Sequence, residues 1–418
     1  MRPSKSHCAI SISIRVRWLR SRLRDGSGIL LPAFLAILSA SVLPPRLRSQ
    51  SGQAPKRPVQ LDRNIQWRRD RATGELHAVT TGGVEAGTAG DVATEPRAIY
   101  VRTQMVAVTS IVSAADGTPV RGLGQNDFRI LDDGAPRPIS YFDASTESAS
   151  IALVLDASPS VLRDSEEMKQ AADALIGSLA PLDQAAVVDF SAHTYLLLGF
   201  SDVREQIRRA VARVNVRELL GDTGGSNIYE AVYLTAQALF PGRRGRKAIL
   251  LLTDGQDSGL GLTLDPASTL PGPGRADRLT FDDVARILAD EDIQVFAVST
   301  ENRPKVMTPE WLAAQEHRTL VDLSARRLGI PPYTLYLAEL VRRAGGQLYF
   351  LRESETMADT FRKIAEKIRA EYTLGFRPAE AAGGAGARPG WHQLSVAVVD
   401  QPQARVANRA AYYVPTTP

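Results

Sequence analysis

The chain has 418 residues, 44% of them hydrophobic, 23% charged and 6% aromatic, which excludes a disordered or fibrous protein and leaves room for two compact domains with connecting segments. Its net charge of +4 points to a nucleic-acid partner only until the basic residues are located. Nine of the 50 Lys and Arg fall in the first 49 residues, and without that stretch 41 basic residues face 45 acidic ones. Removal of the segment removes the charge argument for nucleic acid as well.

Residues 1–49 read as an export signal or membrane anchor. Arg15, Arg17, Arg20, Arg22 and Arg24 precede the apolar run Gly28 to Leu43, which is interrupted by Pro32 and contains a small-residue exit around Ser39-Ala40-Ser41, followed by Arg46 and Arg48. The sixteen-residue run is just short of the roughly 17 to 25 that span a bilayer, so an uncleaved anchor with membrane contact is the alternative to cleavage. Either way the rest of the chain is expected outside the cytoplasm, in the periplasm or beyond the cell. The only cysteine, Cys8, lies in this segment ahead of the apolar run. Without it, disulfides and thiolate chemistry are excluded. Histidines 7, 77, 193, 317 and 392 show no His-x-x-x-His spacing, which argues against zinc.

Residues 50–96 are polar and rich in Gly, Ala and Arg, with a short apolar-polar stretch around Val59 to Trp67, and read as linker. Residues 97–147 read as a small β module, with runs Ile99 to Val112 and Phe128 to Leu131 and turn pairs Asp116-Gly117 and Asp133-Gly134. Residues 148–371 alternate strands with amphipathic helices. The strands are Ile151 to Leu155, Ala185 to Phe190, Tyr195 to Phe200, Lys247 to Thr253, Ile293 to Ser299 and Leu348 to Leu351. The helices are Glu166 to Leu179, Val203 to Val214, Ile228 to Phe240, Phe281 to Ala289, Leu335 to Arg343 and Met357 to Ala370. Continuous apolar strands alternating with helices predict an α/β fold: a doubly wound, mostly parallel sheet of six strands. The connection Ser191 to Thr194 is too short for a crossover helix and predicts one antiparallel edge strand. Gly259 to Arg278 and Asn302 to Pro332 read as loop insertions. Residues 372–418 return to strand character and are expected to pack with the 97–147 module, because isolated hairpins are marginal.

Ligands of an open α/β sheet bind beyond the carboxyl ends of its strands. Asp156-Ala157-Ser158-Pro159-Ser160 follows the first strand, Asp254-Gly255 follows Lys247 to Thr253, and Gly224-Gly225-Ser226-Asn227 precedes a helix. Asp156, Ser158, Ser160, Ser226 and Asp254 are thereby expected on one rim. Two carboxylates and three hydroxyls with no soft ligand suit a hard, oxygen-seeking cation, Mg2+ or Mn2+. Only two full negative charges would surround it, leaving Lewis acidity for a carboxylate from another molecule.

This pattern resembles the von Willebrand factor type A family, whose metal-ion-dependent adhesion site runs Asp-x-Ser-x-Ser, a Thr loop and a later Asp. The resemblance implies Asp156, Ser158 and Ser160 in the first loop, Ser226 at the Thr position and Asp254 in the Thr-Asp-Gly loop, with the partner's carboxylate filling the open position on the metal. Pro159 stands where Gly is common, and Ser226 replaces Thr. The chain also resembles the bacterial VWFA-related proteins through Asp116 to Leu123 with Asp127-Phe128 and Asp132-Asp133-Gly134, through Gly225 to Ala231, and through Tyr372 to Phe376 with Tyr412-Tyr413-Val414-Pro415. Members of that subgroup are mostly of undetermined role, so this resemblance implies the fold more than the function; the type A resemblance implies an adhesion or protein-binding module rather than an enzyme, the alternative being a metal-independent envelope scaffold.

Plainer explanations compete for single residues. Asp and Ser at a strand end commonly cap a helix, Asp257 reads as a solvated loop carboxylate, and Arg243, Arg244, Arg246 and Lys247 read as a solvated turn. Trp67, Trp311 and Trp391 read as packing. Gly224-x-Ser226-x-Ile228 lacks the last glycine of a nucleophile elbow, and no Gly-Lys pair supports a P-loop. Asp156 as a phosphoryl acceptor would call for an acid-base carboxylate where Ser158 stands, so a hydrolase is the least favoured reading.

Overall fold

The computed structural model describes residues 58–62, 65–69, 76–80, 105–115, 117–144, 148–161, 164–214, 225–258, 279–315, 319–322, 328–351, 356–378, 388–401 and 403–414. All of them belong to the unit Lys56–Pro418. Residues 1–49, read as an export signal or anchor, together with Asp116, Gly224 and the insertion 259–278, lie outside the described residues.

Seven strands form the central sheet. In spatial order they are β1 (Val59–Gln60), β10 (Thr194–Ser201), β9 (Gln184–Phe190), β8 (Ala149–Asp156), β11 (Arg246–Thr253), β12 (Gln294–Ser299) and β13 (Leu348–Phe350). From β9 to β13 every neighbouring pair is parallel. The expectation of six strands with an antiparallel edge is corrected at that edge. Strand β10 does run antiparallel to β9, but β1 lies outside it, pairing Val59 with Leu196 and Gln60 with Tyr195. Two residues are too few to show a period, so pairing rather than patterning creates this strand. The linker reading of 50–96 also gives way at β2 (Ile65–Arg69) and β3 (Leu76–Thr80), an antiparallel hairpin.

Side chains along the inner strands alternate between two cores, as a pleated strand requires. Ala152, Val154, Ile249, Leu251, Val295 and Ala297 pack under helices α3 (Ile228–Leu239), α4 (Phe281–Asp290) and α6 (Pro332–Arg343). Ile151, Leu153, Leu155, Leu250, Leu252 and Val298 pack on the other face under α1 (Ser165–Ser178), α2 (Arg204–Val211) and α7 (Met357–Ile368). Both faces being covered is what makes these strands read as unbroken apolar runs.

The insertion 302–332 was expected to be loop and instead contains helix α5 (Pro309–Ala314) and a 3-10 turn at Leu320–Asp322. The hydroxyl of Thr308 accepts from Trp311 N at 3.1 Å at the start of α5, and Met307, Leu320 and Ile330 are buried against Leu335 and Ala338 of α6. Helix α6 starts at Pro332, before the expected Leu335, because proline suits the first helical position.

The chain flanking this domain builds a β-sandwich. One sheet runs β16 (Arg405–Asn408), β4 (Val106–Ser113), β14 (Glu371–Phe376) and β7 (Ile139–Asp143). The other runs β17 (Ala411–Val414), β15 (Gly390–Val398), β5 (Phe128–Asp132) and β6 (Ala135–Arg137). Their common core holds Val108, Val112, Phe128, Ile130, Leu374, Phe376, Leu394, Val396 and Tyr412. N- and C-terminal segments pair strand to strand, β4 with β14 and β5 with β15.

Polar contacts weld the sandwich to the domain. Arg409 donates to the carbonyls of Ala289 and Ala107, and Thr109 Oγ1 donates to Asp292 Oδ2 at 2.8 Å. Arg246 donates to the Glu371 carbonyl at 3.1 Å and lies 3.7 Å from its carboxylate. Burial pushes the Glu371 carboxyl well above its ordinary value, against the pull of Arg246. The basic stretch is therefore largely occupied within the molecule: Arg243 lies over the Phe200 ring, and Lys247 pairs with Glu291 at 3.0 Å.

Candidate metal centre

Asp156 ends β8 at the carboxyl rim, where the ladder sets Leu155 beside Leu252 and so brings Thr253 alongside. Its side chain is 1% exposed. Oδ1 accepts from Ser158 N at 2.9 Å. Oδ2 accepts from Ser226 Oγ at 3.1 Å and Thr253 Oγ1 at 2.6 Å. The hydroxyls of Ser158 and Ser160 lie 3.1 Å apart, the first buried and the second exposed. Asp254 is buried on the next strand end, where its Oδ1 accepts from Gln256 N at 2.9 Å. Four of the five residues singled out from sequence thus form one hydrogen-bonded chain, and Asp254 stands near enough to act on Asp156 through its charge.

Burial pushes the Asp156 carboxyl up to about 6; hydrogen bonds from Ser158 and Thr253 oppose the rise and the Asp254 charge adds to it. A buried carboxylate held by hydroxyls beside a second carboxylate is costly without a compensating positive charge. A small divalent cation would supply that charge, and the oxygen-only donor set fits one. A hydroxyl donating to Asp156 keeps lone pairs free for a metal.

Two contributors, Thr253 and Ser258, were not singled out from sequence. Thr253 reads as the last apolar-flanked strand residue, yet its hydroxyl makes the shortest of these bonds to Asp156. Ser258 holds the Ser226 loop: its amide donates to Ser226 O at 2.6 Å and its hydroxyl accepts from Ser226 N at 3.2 Å. Gly225 is required here, since φ is +34° and an added Cβ would lie 2.5 Å from Ser258 Oγ. Asp257, read as solvated, is instead buried, and its carboxylate faces Tyr229 N at 3.4 Å in the first turn of α3, where a negative charge is favourable.

Glu230 adds a further acidic group. Burial first, then the charges of Asp62 and Asp257, push its carboxyl up to about 7, with His193 opposing. A folded-state value above the unfolded one means stability falls as pH rises, from about 4.5 to about 7. Unfolding free energies from urea titrations in chelator are expected to fall between pH 5 and pH 8 further for wild type than for Glu230→Gln, by up to about 3 kcal/mol. Equal drops would show that Glu230 is solvated in both states.

Among the described residues a second group with metal-binding chemistry lies in the sandwich: Asp132, Asp133 and His392, with ligand atoms within 4.8 Å of one another. Its valences are already taken. His392 Nδ1 is 2.9 Å from Asp133 and Nε2 is 2.6 Å from Arg388 O, while Asp132 accepts from Tyr412 at 2.9 Å and Arg137 at 3.0 Å. Trp391 packs against Tyr413 at 5.5 Å and Trp311 against the Met307 cluster, while the Trp67 side chain lies outside the described residues. No helix among the described residues is long and apolar enough to cross a membrane.

Residues 151–256 match the family model described as von Willebrand factor type A domain. No curated protein matches the chain. Similar solved structures include an aerotolerance-related membrane protein of Bacteroides fragilis, 14% identical, covering 53% of this chain and 98% of its own, with a TM-score of 0.36. They also include a von Willebrand factor type A protein from Catenulispora acidiphila, 13% identical, covering 75% of each chain, at 0.35. A third is proximal thread matrix protein 1 of the mussel byssus, described with a zinc-occupied MIDAS motif, 16% identical, covering 57% of this chain and 49% of its own, at 0.36. The family match agrees with the mainly parallel sheet covered by helices on both faces. The chain carries a von Willebrand factor type A domain.

Proposed function

We propose that this is an exported binding protein whose type A domain holds Mg2+ or Mn2+ at Asp156, Ser158, Ser160, Ser226 and Asp254 and offers it to a carboxylate of a protein partner. The observation that carries the reading is the buried Asp156, on which the Ser158 backbone amide, the Ser226 hydroxyl from a second loop and the Thr253 hydroxyl from the neighbouring strand converge. A bound ion would supply an incompletely neutralised charge and an open position for an outside oxygen. The chain's own part is to hold the oxygens in place: Asp156 orients Ser226 and Thr253, and Ser258 fixes the backbone of the Ser226 loop. Ser226 donates to Asp156 rather than to a histidine base, which favours binding over acyl transfer. Export rests on the basic and apolar pattern of residues 1–49, and a nucleic-acid partner is not part of the reading.

The test couples cation uptake to partner binding. Calorimetric titration of Mn2+ into chelator-treated protein is expected to show one site. Partners captured by the exported form are expected to be lost in chelator, recovered with Mg2+, and absent with Asp156→Ala. Partners retained equally in chelator would favour a metal-independent envelope scaffold instead.

A further inference from the structure

The loops bearing Asp156 and Ser226 are both fastened to one short hairpin, the turn between β9 and β10. Ala157 N donates to Phe190 O at 2.7 Å, and Asn227 donates from its amide to Ser191 O at 2.9 Å and from Nδ2 to Ala192 O at 2.8 Å. Ser191 N closes the turn onto His193 O at 3.0 Å. Its outer side is gripped by residues just after β1. Leu61 N donates to Thr194 O at 2.8 Å, and Asp62 Oδ2 accepts from Thr194 N at 3.2 Å and lies 2.8 Å from His193 Nδ1. A carboxylate only accepts, so His193 carries its hydrogen on Nδ1.

Asp62 is 8% exposed and His193 50% exposed. Among the described residues the second oxygen of Asp62 is buried with no hydrogen-bond partner, and the compensation they offer for burying this carboxylate comes from the hairpin it holds. Leu61 packs against the core beneath α3, which seats this edge segment beside the helix that Ser226 precedes.

We propose that Asp62 and His193 form a latch that positions the metal-binding loops. With the latch closed, the hairpin sets Ala157 and Asn227, and through them Asp156 and Ser226, at the separation a cation needs. Both are positioning residues. The inference rests on the metal reading above and extends it to a segment outside the residues of the family match. Groups that orient metal-binding residues without touching the ion typically govern 10- to 100-fold of its affinity.

The experiment is Mn2+ titration by calorimetry into chelator-treated full chain, for wild type, Asp62→Ala, His193→Ala and the double variant. Each single substitution is expected to raise Kd by about tenfold or more, and the double by no more than the worse single, because both break one latch. Asp62→Ala also removes a negative charge that attracts the ion, whereas His193→Ala does not. Weakening confined to Asp62→Ala, or unchanged affinity in both, overturns the latch while leaving the metal site standing. A wild type that takes up no Mn2+ removes the metal reading and the latch together. A readout free of metal accompanies these: amide exchange at Ala192 to Thr194 and at Asn227 is expected to quicken in His193→Ala with the β8 and β11 amides unchanged. Unaltered exchange there also overturns the proposal. His193 is half exposed, so its variant keeps the test available if Asp62→Ala fails to fold.

Discussion

Asp156→Ala is expected to abolish the thermal stabilisation that Mg2+ or Mn2+ confers on the wild type. An ion present at a hundred times its Kd adds about 2.7 kcal/mol to the folded state, and for a domain of this size that is a rise in Tm of roughly 5–10 °C. In chelator the two proteins should differ much less. The substitution removes a buried carboxylate whose burial is costly, and at the same time strips the acceptor from Ser226 Oγ, Thr253 Oγ1 and Ser158 N. Those effects oppose each other, so the ion-dependent increment rather than the baseline is the quantity to read. Melts and calorimetry in which wild type and variant respond equally to either ion would end the metal assignment.

The second large effect is expected far from that rim. Gly346→Ala should yield little folded protein, because an added Cβ would overlap the Val295 carbonyl oxygen and lie 2.5 Å from its carbon. The obstacle is backbone of β12, an inner strand paired on both sides, and cannot turn away as a side-chain tip would. Gly345 beside it has φ +77° and crowds Arg409 and Asn408, so the pair marks where the end of α6, the sheet and strand β16 meet. A loss above about 4 kcal/mol is expected, in the tail of single-substitution effects. Gly199→Ala, with open space around its Cα, is the control and should stay within about 0.5 kcal/mol. A urea midpoint for Gly346→Ala near that of the control would contradict the close approach.

What could be read from the sequence follows from how each element is buried. Strands β8, β11 and β12 are covered on both faces, so their apolar runs are unbroken and their polar ends, Asp156 and Asp254, stand out. The pairing of β4 with β14 was anticipated only in outline, since no local pattern states which distant strand a lone edge will choose. Strand β1 was missed because two residues show no period, and α5 because it is only six residues long, with Trp311 and Leu312 partly buried against the Met307 cluster. At the rim, Asp, Ser and Asp were legible as types at strand ends. Thr253, Asp257 and Ser258 were not, because their roles come from approaches across loops: a hydroxyl turned to Asp156, a carboxylate turned into the first turn of α3, and a hydroxyl laid against Ser226 N.

The sandwich is assembled from residues on both sides of the domain, and this dictates an order of events during synthesis. When a ribosome has released residues up to 370, strands β4 and β5 exist without β14 and β15, so their apolar faces stay wet or lean on a chaperone until the last stretch emerges. Completion of the central sheet carries Ala149 and Glu371 to neighbouring points at the Arg246 end of β8 and β11, closing a loop of more than two hundred residues that would otherwise oppose β4–β14 pairing by its entropy. The domain thus templates its own flanks, and a nascent chain stalled before residue 390 should be a preferred target for proteases at residues 105–144.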